Sequence, residues 1–225
     1  ELNRAEWLLM SARGHFGYPQ PEDGFEYIDR TFDAADHCRI CGIGGVQNAP
    51  FRLRSEPKAS RSQFLQLNWV HDEFFVRHEA RNIMQTERVS GISFLSPVLH
   101  SKNKPSVQVS QMRINSVLPN AIDISQLFRV TCKPENEEWY PGRKPGNAEL
   151  EGAPHCGRIK YHLEHRGSFQ FNRAAFEDAP DVVKSHEWFG SGGTGHRLVI
   201  VSQRFRQLVV RSKLRGVTFE PVELV

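Results

Sequence analysis

The chain has 225 residues, 39% hydrophobic and 24% charged, which is enough for one large core or two small ones and excludes a disordered chain. Its net charge of +3 is spread without a basic block, so neither nucleic acid nor an anionic membrane is expected as a partner. No apolar run reaches the roughly 18 residues of a membrane helix, and the opening Glu1-Leu-Asn-Arg-Ala-Glu-Trp-Leu-Leu-Met10 is too charged for a signal peptide, although a start on Glu rather than Met leaves room for a trimmed one.

Residues 1–37 read as an N-terminal wrapping segment, with a short apolar helical patch around Trp7 to Met10 followed by a Gly- and Pro-rich turn region from His15 to Gly24. Residues 38–130 read as a first α+β half that opens on the knuckle Cys38-Arg-Ile-Cys41-Gly42. Within it the alternation of Phe64 to Val70 predicts a strand. Phe75, Val76, Ile83 and Met84 near helical spacing predict a helix over 72–89, with Asp72 and Glu73 at its start and Gly91 at its end. Ile92–Leu95 and Val98-Leu99 resume an extended pattern.

Residues 131–155 read as an exposed loop region in which five glutamates surround Trp139-Tyr140; an exposed aromatic pair among charges fits a protein-binding hot spot. Residues 156–225 read as a second α+β half. Leu198–Val201 is a strand, Ser202 caps a helix to about Leu214, Gly216 stops it, and Val217 to Phe219 returns as a strand. Gly91-Ile-Ser-Phe94 matches Gly216-Val-Thr-Phe219 in kind, and a Cys-Gly element lies upstream of each. The expected fold is therefore α+β, with two related strand-helix-strand halves around mixed or antiparallel sheets, joined by a zinc knuckle site.

The chain has four cysteines, Cys38, Cys41, Cys132 and Cys156. In a reducing cytoplasm, the expected compartment, a CxxC pair points to metal or redox chemistry rather than to a disulfide. A redox CxxC opens a helix, whereas this one runs into Gly42, Gly44 and Gly45. A pair of reduced thiols without metal is the simpler alternative. Ala153-Pro-His-Cys156-Gly157 has the outline of a second knuckle with alanine in the first cysteine's place. Cys38, Cys41 and Cys156 are the expected zinc ligands, with Cys132 fourth and His155 as the alternative fourth ligand. Such an ion is structural and staples together parts of the chain far apart in sequence.

No catalytic constellation is complete. HExxH and the deaminase pattern are absent, the loop Phe189 to His196 lacks the Walker lysine, and Ser191 is out of GxSxG register. The glycine loop reads as a mobile hairpin turn, and His162 and His165 as exposed.

The CxxCG knuckle at 38–42, the Cys156-Gly157 element and the C-terminal Gly216-Val-Thr-Phe-Glu-Pro-Val222 resemble the double-CxxCG proteins of myxobacteria and other proteobacteria. That family includes immunity proteins that protect cells from lipoprotein toxins exchanged between siblings. Ala153 departs from its second motif. The resemblance implies a cytoplasmic, non-enzymatic zinc-binding protein whose partner is a cognate protein toxin. The alternative is a zinc-containing enzyme or nucleic-acid-binding protein, with His155, His162 or His165 at an open metal position or a basic face at Arg204, Arg206, Arg211, Lys213 and Arg215.

Overall fold

The computed structural model describes residues 1–33, 35–58, 60–125, 127–139, 153–163 and 167–225, with 137–139 as backbone alone. The apolar start is β1 (Trp7–Ala12), a strand rather than the expected helical patch. Leu8 and Met10 are buried while Trp7, Leu9 and Ser11 are not, a period of two that a helix cannot satisfy. After α1 (Tyr27–Thr31) come the short strands β2 (Arg52–Leu53) and β3 (Phe64–Leu65), then β4 (Phe74–Arg77) and α2 (His78–Thr86). Phe75 and Val76, assigned from sequence to a helix, lie in β4, because all of Phe74, Phe75 and Val76 are buried and the strand is covered on both faces. The helix begins only at His78.

The chain continues through β5 (Ile92–Leu95), β6 (Val98–Leu99), β7 (Lys104–Pro105), β8 (Val109–Ile114), β9 (Arg129–Thr131), β10 (Ile159–Tyr161) and β11 (Gln170–Phe171). It ends with β12 (Val182–Phe189), β13 (His196–Ser202), α3 (Gln203–Arg211), β14 (Val217–Pro221) and β15 (Glu223–Leu224). The fold is mixed α+β and mostly strand. A six-stranded sheet runs β14-β1-β13-β12-β10-β9 and a four-stranded sheet β3-β4-β8-β5, with a three-stranded sheet β2-β6-β7 and the pair β11-β15 beside them. The four-stranded sheet is antiparallel throughout, and the six-stranded one is antiparallel except for β10 on β12.

Two units share one plan. In β4-α2-β5 the strand β8 inserts antiparallel between β4 and β5; in β13-α3-β14 the strand β1 does the same. Each helix has nine residues and is followed by a left-handed residue, Arg88 (φ 51°) or Lys213 (φ 53°). These two, rather than Gly91 and Gly216, take the left-handed cap position after the helix. The glycines, three residues on, sit where backbone passes backbone. A Cβ on Gly91 would lie 2.2 Å from the Val182 carbonyl oxygen, and one on Gly216 2.1 Å from that of Phe64. The neighbouring bonds match too, since the Ser90 N–H donates to Asp181 (2.9 Å) and the Arg215 N–H to the Gln63 side chain (2.9 Å). Residues of β1, β4, β8 and β13 join the inner faces of α2 and α3 in one apolar cluster. Of α1, α2 and α3, α3 alone carries a side-chain N-cap, Ser202 Oγ accepting from the Phe205 N–H.

Candidate metal centre and the adjoining cleft

The knuckle is a tight backbone turn. The Gly42 N–H donates to the Cys38 carbonyl at 2.8 Å and the Cys38 N–H to that of Ile43 at 2.9 Å. Gly42 has φ 74°, and a Cβ there would stand 2.3 Å from the Gly193 carbonyl oxygen. A Cβ on Gly195 would meet the Gly42 carbonyl at 2.7 Å, so the knuckle and the glycine-rich turn between β12 and β13 touch backbone to backbone. The turn is therefore a fitted surface, not the free hairpin its composition implies. Beneath both lies Lys160, 2% exposed, whose Nζ donates to the carbonyls of Cys41 (2.8 Å), Gly192 (2.6 Å) and Thr194 (2.9 Å).

The other two cysteines come from the ends of paired strands. Cys132 follows β9 and Cys156 precedes β10; the Cys132 N–H donates to the Arg158 carbonyl at 2.9 Å and the Gly157 N–H to that of Cys132 at 3.0 Å. Cys132 thus occupies the place left by Ala153, which packs against the cluster. All four sulfurs lie within 4.8 Å of one another, with Cys38–Cys132 at 3.9 Å and Cys41–Cys156 at 3.6 Å. A tetrahedral zinc with Zn–S of about 2.3 Å separates its sulfurs by about 3.8 Å. Those spacings fit one ion and are too long for disulfides. His155 stands outside this set of four.

The electrostatics also fit a cation. Cys38 is drawn down to about 4, first by the hydrogen bond from the Cys41 thiol and further by the Cys41 and Ile40 N–H groups. Cys41 is pushed well above the usual thiol range because it keeps the shared proton and is buried, and burial raises Cys132 to about 11. Without a cation one thiolate forms at the expense of its neighbours. A divalent ion supplies the charge that allows all four to ionise, and the N–H groups aimed at the sulfurs then serve as the outer layer of the site.

Beside the knuckle opens a cleft of about 510 Å³, to which Ile40 and Gly42 contribute one wall. Its floor holds an ion cluster that joins the two sheets. Lys184 Nζ, from β12, lies 3.0 Å from Asp72 Oδ2 and 2.5 Å from Glu73 Oε1, and Glu73 Oε2 accepts from Gln111 at 2.8 Å. Asp72 and Glu73, read from sequence as a helix start, precede β4 instead, with Glu73 buried and Asp72 partly buried. Lys184 is held above its usual range by the two carboxylates, against its burial. Asp72 is held low by Lys184 and His196 despite its burial, whereas burial keeps Glu73 high. Sequence reasoning missed this cluster because Lys184 lies 111 residues from Glu73 and 112 from Asp72; the one available signal was a lysine inside the apolar alternation of β12.

The remaining predicted residues scatter. His162 packs edge-on to the Phe128 ring at 4.9 Å. His165 and Tyr140 lie outside the described residues, and so does the Trp139 side chain, so the proposed hot spot falls there too. The basic residues of α3 are engaged locally: Arg204 pairs with Asp181 at 2.5 Å, Arg211 with Glu87, and Arg206 donates to Asn3 at 3.1 Å. No helix among the described residues is long and apolar enough to cross a membrane. No family model matches the chain, and no curated protein matches it.

Proposed function

We propose that this chain is a non-enzymatic binding protein of immunity type, clamped by a structural zinc ion, whose partner is a cognate protein toxin in the cytoplasm. The observation that carries the zinc reading is the closed set of four mutually adjacent sulfurs. Four thiolates complete a tetrahedron and leave no position for a catalytic water or a substrate, which favours a structural ion. The matched helices, left-handed caps and glycines of β4-α2-β5 and β13-α3-β14 support two related halves, with ligands at Cys38 and Cys41 on one side and Cys156 on the other. The toxin reading rests on the double-CxxCG resemblance.

Two measurements test these claims separately. Metal analysis of the purified chain is expected to give one zinc per molecule, and Cys156→Ala is expected to lose it together with the fold. Full zinc retention in that variant overturns the clamp. Co-purification with the product of the adjacent gene tests the partner; an adjacent housekeeping enzyme, or no complex, overturns the immunity reading and leaves the zinc reading intact.

A further inference from the structure

The cleft beside the knuckle is built like a ligand site, independently of any protein partner. Its 510 Å³ falls within the range of small-molecule pockets. At its mouth two aromatic rings are held in unfavourable backbone conformations: Phe25 at φ 60° and Trp69 at φ 66°. Bulky side chains in the left-handed region cost about 1–3 kcal/mol each, and such strain collects where a side chain must be presented in one orientation. The two rings lie 4.6 Å apart, Tyr18 flanks Trp69 at the same distance, and Phe25 is 48% exposed. This is an aromatic platform at an open mouth.

The charged groups that line the cleft are not paired one to one. Asp29 is taken by Arg39, Asp36 by Arg158, and Asp72 with Glu73 by Lys184. No carboxylate among the described residues makes an ion pair with the two remaining lining arginines, Arg113 and Arg197. Asp72 Oδ2 accepts from the Arg197 backbone N–H at 3.3 Å, and Asp72 and Glu187 act on the Arg197 guanidinium without an ion-pair contact. Arg197 is fixed over the Trp188 ring at 4.5 Å and donates to the carbonyls of Ser185 (2.7 Å) and His186 (2.5 Å); among the described residues Arg113 makes one donation, to the Gln47 carbonyl at 3.3 Å. Guanidinium donors without a carboxylate suit a carboxylate or phosphate ligand.

We propose that the cleft binds a small planar aromatic anion, its ring against Trp69 and Phe25 and its carboxylate or phosphate on Arg113 and Arg197. Trp69 and Trp188 both line the site and report occupancy by fluorescence.

The full zinc-loaded chain is titrated with indole-3-acetate and with adenosine monophosphate, which separate an aromatic carboxylate from a nucleotide. Indole, adenosine and the cationic tryptamine serve as charge controls. The expected result is saturable quenching by one of the two anions, at least about tenfold tighter than by its neutral counterpart or by tryptamine, as one charge-assisted contact gives. Arg113→Gln is expected to weaken that binding about tenfold and to leave the melting temperature in place. Phe25→Ala, at an exposed position, tests the platform where Trp69→Ala fails to fold. Absence of saturation by either anion overturns the proposal, as does equal binding of the neutral or cationic controls or undiminished binding by Arg113→Gln.

Discussion

Lys184 shows how one side chain can hold two distant segments in register. It is largely enclosed with two carboxylates, and removing one partner from such a cluster costs about 3 kcal/mol because the others stay enclosed and uncompensated. Lys184→Ala is expected to lose that much in urea unfolding, while the triple replacement Asp72→Asn, Glu73→Gln and Lys184→Met recovers most of it. If the single variant alone is near neutral, the cluster is not a linchpin. His196 behaves differently. Burial depresses it from 6.5 to about 4, so the unfolded chain takes up a proton that the folded protein refuses between those values. Stability therefore falls as pH drops through that window, by up to about 3 kcal/mol. His196→Gln is expected to flatten the urea midpoint between pH 6.5 and 4.5; an unchanged slope assigns the acid sensitivity elsewhere. Apart from the lysine within β12, none of this was legible in the sequence, since the enclosure of Asp72, Lys184 and His196 is set by what packs over them.

At the scale of elements, the two helices and the strands after them were readable because local chemistry fixes them: the Ser202 cap, the amphipathic spacing of α3, and a β-branched or aromatic strand after each glycine. The helix ends were misplaced, since a lysine and an arginine took the left-handed positions that favour glycine. Lys213→Gly is accordingly expected to stabilise the protein by about 0.5 kcal/mol in urea unfolding, the relieved backbone conformation outweighing the added freedom of the unfolded chain. A loss would show that Lys213 is not strained there. Strands of two residues, such as β2 and β11, leave no periodicity to read; they exist because a partner strand meets them. The glycine turn at 190–195 was legible as a turn but not as the seat of the knuckle. Gly42→Ala tests that contact. Its Cβ would meet Gly193 in a left-handed conformation, and a loss of about 3 kcal/mol with weakened zinc retention is expected. A variant that folds and holds zinc like the parent sinks the backbone-to-backbone fit.

For the whole molecule, the cysteine set was the most legible long-range feature, because four thiols match the ligand count of one tetrahedral ion. On the structural-zinc proposal, its place in the structure predicts that chelation is a global event. The knuckle rests on the β12–β13 turn, Lys160 ties both to β10, and Cys132 and Cys156 terminate β9 and β10 at the edge of the six-stranded sheet. The same knuckle walls the cleft over the Asp72–Lys184 cluster, which joins that sheet to the four-stranded one. On the structural-zinc proposal, removing the ion would leave mutually repelling, partly protonated sulfurs at this junction, and the two sheets are expected to lose their common support together. Hydrogen exchange before and after chelator treatment reads this directly. Amides of β12, β13 and β4 are expected to lose protection along with those of residues 38–43. Melting confined to the knuckle, with β4 and β13 as protected as before, would falsify the clamp and reduce the ion to a local staple.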